Sequence, residues 1–291
     1  MSWAFKRFTT VMLDPSPPST STSTSPTKLH LDLPRLARSF ADQGYIVLRG
    51  VISKPELAKV QRRLADEFDT WKTSTESFQG GGLLSGHLNC YPGEIAKGVV
   101  HELRDTGTLE LVNHLFPTDP RATRIGCNFN LPGSVAQHYH MDGIFLESFM
   151  VVNVAVVDTS LENGAIDVVP TTHKRFYRYW EFAAGRVYRG STRLPMSAGD
   201  VLIRTSTLWH RGMPNRTRVA RPMLALTLGE KGVDVDDPFA FNAGRTQFQT
   251  NWFTTSLLGR LRERTTVAAP LTYSAYRFAH SLLSNKGYAS F

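Results

Sequence analysis

Two histidines and one aspartate carry the clearest chemical signal in this sequence. His140 and Asp142 are separated by one residue, and His210 follows in a second histidine-containing segment, residues 207–212. On a β-strand, residues i and i+2 point to one face, so His140 and Asp142 can offer an imidazole nitrogen and a carboxylate oxygen to one ion. With His210 as the third ligand, the set matches the facial triad of non-haem iron(II) oxygenases. We therefore predict that these three residues bind one catalytic metal ion, Fe(II).

A downstream arginine strengthens this interpretation, since an isolated HxD triplet often arises by chance. Arg221 lies eleven residues after His210. A hairpin through residues 212–215 is expected to bring Arg221 back beside His210. A guanidinium at that place could hold a carboxylate through two parallel hydrogen bonds.

The elements that must position these residues change in character along the chain. Helical patterns are predicted at 34–41, from 53 to about 68 and at 107–116, with a short strand at 45–48. Short β-like runs follow, separated by turn residues, at 124–130, 135–142, 149–157, 165–169, 200–205 and 222–228. Helical spacing returns at 253–284. Many short strands without alternating helices predict a mainly β fold with flanking helices, an antiparallel sandwich or barrel of the jelly-roll type.

The composition is that of an ordinary globular protein. The chain has 291 residues, of which 41% are hydrophobic and 20% charged. We expect residues 1–30 to be a disordered Pro/Ser/Thr-rich extension and residues 31–291 to form a single domain. No apolar run approaches the roughly 20 residues of a membrane-spanning helix. Two cysteines, Cys90 and Cys127, fit a cytoplasmic setting better than a disulfide scaffold.

The formal net charge of +8 could indicate an anionic partner. Because the basic residues are spread along the chain, we interpret most of them as solvated surface and expect no nucleic-acid partner. A basic C-terminal set is interpreted as a solvated helical face packed on the β domain rather than as a membrane-docking surface. Its members are Arg260, Arg262, Arg264, Arg277 and Lys286.

Four stretches together resemble the phytanoyl-CoA hydroxylase-like family of Fe(II)/2-oxoglutarate dioxygenases. They are residues 44–52 with the following helix, the HxD segment 137–142, the segment 162–173, and residues 199–221. In the third stretch Thr171 stands where the family usually has glycine. The resemblance spans residues 44 to about 228, which is most of the chain expected to be ordered.

The resemblance implies a double-stranded β-helix (a jelly-roll, cupin-like fold) with iron on His140, Asp142 and His210. It also implies 2-oxoglutarate whose distal carboxylate pairs with Arg221, with Arg216 and Arg218 as competitors that the spacing disfavours. Such an enzyme uses O2 to oxidise an unactivated C–H bond of a small molecule, and releases succinate and CO2. Related halogenases replace the carboxylate with a small residue, so the aspartate points to hydroxylation or another oxidation.

Further side chains are candidates for contacts in the pocket. Gln137, Thr205 and Asn153 are candidates for 2-oxoglutarate, although simple alternation turns Gln137 away unless a bulge intervenes. Candidate substrate contacts are Tyr91, in a loop that could cover the pocket, Asn128, His138 and Trp209. Each has a structural alternative, because buried polar groups on strands commonly bond to backbone and tryptophan commonly packs in the core.

Two other functions are compatible with the same sequence. The basic pI motivates a dioxygenase that acts on nucleic acid or on a protein side chain. A jelly-roll protein that binds ligands without turnover is the second, and the complete ligand set with Arg221 argues against it.

Overall fold

Two antiparallel sheets form the centre of the computed structural model, which describes residues 28–73, 84–116, 122–229, 237–250 and 257–283. The larger sheet has seven strands in the order β1-β7-β4-β9-β3-β2-β10, and the smaller has three in the order β6-β5-β8. The strands are β1 Tyr45–Leu48, β2 His87–Tyr91, β3 Ala122–Asn130, β4 Met150–Ala155, β5 Ile166–Val168, β6 Thr192–Leu194, β7 Val201–Thr205, β8 His210–Arg211, β9 Arg221–Leu228 and β10 Gln247–Thr250.

Seven α-helices flank the sheets within the described residues. They are α1 Leu33–Gln43, α2 Lys54–Thr73, α3 Lys97–Asp105, α4 Thr108–Leu115, α5 Tyr179–Ala184, α6 Leu257–Ala268 and α7 Pro270–Leu283. None of them is long and apolar enough to cross a membrane.

Helix α1 shows how local sequence sets an element boundary. The Asp32 carboxylate caps its start by accepting from the Arg35 backbone N–H at 3.1 Å. Gly44 ends the helix in the left-handed conformation, with a φ of 81°. A Cβ atom at Gly44 would lie 2.5 Å from Nδ1 of His173, so the close approach of these two segments also requires glycine.

The larger sheet separates the hydrophobic core from a cavity. On β3, Ile125 and Phe129 point into the core that α1 to α4 cover. Arg124 and Asn128 alternate with them and line the cavity on the opposite face. The mainly β fold with flanking helices is thus confirmed, and five of the predicted β runs coincide with strands β3, β4, β5, β7 and β9.

The predicted strand over residues 135–142 is wrong. His140 forms only an isolated bridge with His210. The backbone N–H groups of this segment donate to several different places in turn, because Val135 bonds to Ser85, Gln137 to Gly212 and Asp142 to Ser206. A segment whose partners change in this way cannot form a continuous ladder.

The predicted hairpin between His210 and Arg221 is also wrong. Strand β8 pairs with β5 in the smaller sheet. Strand β9 pairs with β3 and β4 in the larger sheet. Residues 212–220 therefore cross from one sheet to the other, and the two residues approach one cavity from different sheets.

The predicted extension 1–30 falls almost wholly outside the described residues, which begin at residue 28, and the division of the chain into domains stays a prediction.

Candidate metal centre and its cavity

The side chains of His140, Asp142 and His210 converge at the edge of the smaller sheet. Their potential ligand atoms all lie within 4.8 Å of one another. Nε2 of His140 is 3.7 Å from Oδ1 of Asp142, and Nε2 of His210 is 3.8 Å from Oδ2 of the same carboxylate. The arrangement brings two nitrogens and one carboxylate to a single point, as one metal ion requires.

Hydrogen bonds to backbone fix the orientation of both imidazoles. Nδ1 of His140 lies 2.8 Å from the carbonyl oxygen of His138, and Nδ1 of His210 lies 2.9 Å from that of Leu208. A carbonyl oxygen only accepts, so Nδ1 carries the proton and donates in each ring. Nε2 is then left with a lone pair for a metal ion.

Burial keeps the two imidazoles neutral. It lowers the pKa of His140 to about 4, and it holds the pKa of His210 well below the usual value for histidine. Both side chains are therefore unprotonated at neutral pH, which is the form that binds metal ions.

Asp142 is held in its ionised form by an arginine that the sequence analysis did not identify. Burial alone would raise the pKa of Asp142, but the charge of Arg204 and the hydrogen bond that it donates reverse the effect and hold the pKa well below the ordinary value. Nη2 of Arg204 donates to Oδ2 of Asp142 at 2.7 Å, and its Nε donates to Oδ1 of Asn153 at 3.1 Å. One signal could have revealed it, because Arg204 is a charged residue that directly follows the apolar run 201–203 within the predicted strand 200–205.

The three residues border a cavity of about 360 Å³. Its walls come from the inner face of the larger sheet and from the segments that carry the candidate ligands. The polar lining is Asn89, Tyr91, Arg124, Asn128, Gln137, Asn153, Arg204, Arg221 and Thr227.

Arg221 lies at the start of β9 and is only 2% exposed. Its Nη2 donates to the carbonyl oxygen of Gly164 at 3.2 Å, while its Nε and Nη1 are buried without a hydrogen-bond partner. Burial lowers the pKa of Arg221 to about 10, so the side chain remains charged at neutral pH. The competitors Arg216 and Arg218 are exposed. A buried guanidinium with unpaired donors at a cavity wall fits a bound carboxylate.

Four further predicted residues line the cavity. Oε1 of Gln137 accepts from the Gly212 backbone N–H at 2.8 Å, and Asn153 accepts from Arg204. Tyr91 and Asn128 line the cavity as well. Tyr91 lies on β2 rather than in the predicted loop. Gln137 reaches the cavity despite the alternation argument, because its segment is not a regular strand.

The structure places three predicted residues elsewhere. Oγ1 of Thr205 lies 3.1 Å from Oγ1 of Thr207, and strand alternation turns Thr205 away from the face that carries Arg204. The His138 ring packs against Tyr273 of α7, with ring centroids 4.5 Å apart. Trp209 is 1% exposed and stacks on Phe182 of α5, with centroids 4.0 Å apart. We therefore leave Thr205, His138 and Trp209 out of the proposed binding site.

The basic C-terminal set does not act as one surface. Arg260, Arg262 and Arg264 are exposed on α6, as expected. Arg277 is instead 3% exposed, and its guanidinium lies over the ring of Tyr179. Lys286 lies outside the described residues.

Comparison with known proteins identifies dioxygenases, the class of enzyme that the sequence motifs resemble. The model of the phytanoyl-CoA dioxygenase (PhyH) family matches residues 40–223. The dioxygenase lolE1 of Epichloe uncinata is 28% identical over 180 residues, which are 56% of this chain and 68% of the relative.

Solved structures of non-haem, α-ketoglutarate-dependent enzymes share the fold. The epimerase SnoN, in complex with Fe3+, α-ketoglutarate and nogalamycin RO, superposes with a TM-score of 0.53 at 20% identity, over 68% of this chain and 83% of that one. The carbocyclase SnoK superposes with a TM-score of 0.54 at 18% identity, over 74% and 96%. The expected jelly-roll fold is thereby confirmed.

The family match contains the candidate metal ligands and Arg221, and it covers more than half of the chain. The protein is a non-haem dioxygenase that depends on Fe(II), 2-oxoglutarate and O2. The chain belongs to the phytanoyl-CoA dioxygenase family.

Proposed function

We propose that His140, Asp142 and His210 hold Fe(II), that Arg221 binds the distal carboxylate of 2-oxoglutarate, and that the enzyme hydroxylates an unactivated C–H bond of a small molecule. One observation carries the proposal. Three converging ligand atoms and a buried guanidinium with unpaired donors border the same cavity. Bound iron supplies the oxidising chemistry, with O2 as oxidant and with succinate and CO2 as the products of 2-oxoglutarate.

The protein's own residues have distinct parts in this proposal. His140 and His210 offer neutral imidazoles whose orientation is set by backbone carbonyls. Arg204 keeps Asp142 ionised and fixes one of its oxygens. Arg221 attracts the carboxylate of the co-substrate and sets its direction. The position of the bound co-substrate then determines which part of the cavity is left for the substrate.

The aspartate ligand supports hydroxylation over halogenation. Asp142 fills a coordination position that a halide would need. The related fold also serves an epimerase, SnoN, and a carbocyclase, SnoK. Hydroxylation is therefore our proposal for this chain, and a product with a new ring or an inverted centre would revise it.

A small molecule with both polar and apolar groups is the substrate class that the cavity supports best. A volume of about 360 Å³ lies in the range of small-molecule sites. Away from the candidate ligands, the walls present polar side chains that can hydrogen-bond to a substrate's oxygen or nitrogen atoms, namely Asn89, Tyr91 and Arg124. They also present apolar side chains, namely Phe149, Val151, Ile166 and Met223. SnoN was solved with nogalamycin RO, a small molecule bound to this fold.

Substrate-stimulated decarboxylation of 2-oxoglutarate tests the proposal. Release of CO2 from carboxyl-labelled 2-oxoglutarate would be compared for wild type and Asp142→Ala with three pools, namely metabolites below about 1 kDa, nucleic acid and denatured protein. We expect only the metabolite pool to stimulate the wild type and no pool to stimulate Asp142→Ala. Stimulation by nucleic acid or protein alone would replace the proposed substrate class by the alternative one.

A further inference from the structure

Helix α7 contacts the segment that carries His140 from outside the cavity. Nη1 of Arg277 donates to the carbonyl oxygen of Tyr139 at 3.0 Å. One turn earlier on the helix, the ring of Tyr273 packs against the ring of His138 with centroids 4.5 Å apart. Two consecutive residues immediately before the first candidate ligand are therefore in contact with one helix.

These contacts act on a segment that has little regular structure of its own. Residues 134–139 belong to no strand. The carbonyl oxygen of His138 accepts from Nδ1 of His140, so the direction of that carbonyl sets the orientation of the ligand ring. The next carbonyl, of Tyr139, is the one that Arg277 holds.

Helix α7 is held in position by contacts with helix α5. Oγ of Ser281 accepts from the Trp180 backbone N–H of α5 at 2.9 Å. The guanidinium of Arg277 lies 4.0 Å from the ring centroid of Tyr179, also on α5. On α6, the buried carboxylate of Glu263 accepts from the Ser85 backbone N–H at 3.1 Å, just before β2.

Both C-terminal helices lie beyond the part of the chain that the family model matches, which ends at residue 223. Arg277 is nonetheless 3% exposed, as low as many residues of the core. A buried guanidinium is expensive to desolvate unless its donors are used. The hydrogen bond to the Tyr139 carbonyl uses one of the donors of Arg277 and holds the guanidinium beside the segment that carries His140.

We propose that Arg277 is a positioning residue for the metal centre. Arg277 holds the Tyr139 carbonyl and Tyr273 holds the His138 ring, and together these contacts set the orientation in which His140 meets the ion. Helices α6 and α7 then contribute to the geometry of the metal centre and do not only cover the surface of the β domain. This inference rests on the proposed function, since it requires His140 to be a ligand.

The affinity for Fe(II) tests this role without a measurement of turnover. Under anaerobic conditions with saturating 2-oxoglutarate, Fe(II) is titrated and the weak visible absorption of the chelate is followed. Arg277→Met is expected to raise the apparent Kd for Fe(II) by about tenfold, the lower end of the effect of losing a direct partner of a metal ligand, because Arg277 acts through the Tyr139 carbonyl. Arg277→Lys, which can still donate to Tyr139, is expected to recover part of the loss.

Ser281→Ala is the matched control on the same helix. It removes the bond to Trp180 and leaves Arg277 in place, so it should lower the thermal stability and leave the Kd for Fe(II) within about twofold. Equal Kd values for Arg277→Met and wild type, or equal increases in Arg277→Met and Ser281→Ala, would overturn the inference.

A second variant covers the case in which Arg277→Met does not fold. Tyr273→Leu removes the ring that packs on His138 while the buried charge stays, and it should raise the Kd by about tenfold. An unchanged Kd in this folded variant would also overturn the inference. Absence of the band in wild type would instead overturn the proposed function, and with it this inference, so the two failures are distinguishable.

Discussion

Replacement of Arg221 by methionine is predicted to move stability and co-substrate affinity in opposite directions. Methionine is shorter, matches the aliphatic stem of the arginine, and brings no charge and no donors into the cavity wall. The ligand-free protein should become more stable, because a buried guanidinium with two unpaired donors is removed. Affinity for 2-oxoglutarate should fall, because the same donors are those that the co-substrate carboxylate would use.

The magnitudes follow from the contacts of this side chain. Each unpaired buried donor costs about 1–3 kcal/mol, so removal of Nε and Nη1 relieves about 2–6 kcal/mol. The carbonyl of Gly164 loses its donor, which costs about 1–3 kcal/mol. At the midpoints of these ranges, a relief of about 4 kcal/mol and a cost of about 2 kcal/mol leave the ligand-free protein more stable by about 2 kcal/mol. Loss of the charge-assisted hydrogen bonds to the carboxylate should cost about 3 kcal/mol or more, which is at least about 100-fold in Kd.

Two measurements on the same preparations test this prediction. Urea unfolding of the metal-free proteins gives the change in the free energy of unfolding. Titration calorimetry with the Mn(II)-loaded proteins gives the Kd for 2-oxoglutarate without turnover. Arg216→Met is the control, since Arg216 is exposed on the preceding segment and should change neither quantity. A destabilised Arg221→Met variant with unchanged 2-oxoglutarate affinity would show that Arg221 is a structural arginine and that the co-substrate binds elsewhere.

Three further predictions concern neighbouring positions. Arg204→Met should raise the pKa of Asp142, because burial then acts without the guanidinium. The pH below which Fe(II) binding is lost should therefore shift upward, as the visible chelate band will show, and an unchanged midpoint would contradict the role of Arg204. Thr205→Val should cost about 1 kcal/mol through its bond to Thr207 in urea unfolding, and a change of more than about twofold in the Kd for 2-oxoglutarate would return Thr205 to the site. Trp209→Ala should cost about 3–5 kcal/mol of unfolding free energy, and a loss below about 1 kcal/mol would place it outside the core.

The sequence predicts the structure correctly where the signal depends on residues that are close together in the chain. The spacing of His140 and Asp142 and the later His210 identified the cluster that the structure brings together. Strand β1 spans Tyr45–Leu48 as predicted, because an apolar run directly after the glycine that ends α1 leaves little choice of boundary. Such patterns depend on a few neighbouring residues and survive without knowledge of the fold.

Errors arose where the outcome depends on which segments meet. The alternation rule for residues 135–142 failed because the partners of that segment lie in several different places, and Gln137 therefore reaches the cavity. The hairpin expected between His210 and Arg221 failed because the two strands joined different sheets. The spacing of residues along the chain does not determine which strands pair, because the free energy of each pairing depends on residues that are distant in the sequence.

Arg204 was missed for a related reason. Its partner Asp142 is 62 residues away in the sequence, and only the fold brings the two together. Strands β2, β6, β8 and β10 and helices α3 and α5 were likewise not predicted, since they are short or lack a clean apolar period and are stabilised by the elements that they pack against.

The binding of Fe(II) and 2-oxoglutarate at His140, Asp142 and His210 is the central claim, and one anaerobic absorption measurement tests it most directly. Wild type, His210→Ala and the control His101→Ala, whose histidine is exposed on α3, are each mixed with Fe(II) and 2-oxoglutarate. We predict a weak visible charge-transfer band in wild type and His101→Ala and its loss in His210→Ala. No band in wild type, or an undiminished band in His210→Ala, would contradict the claim.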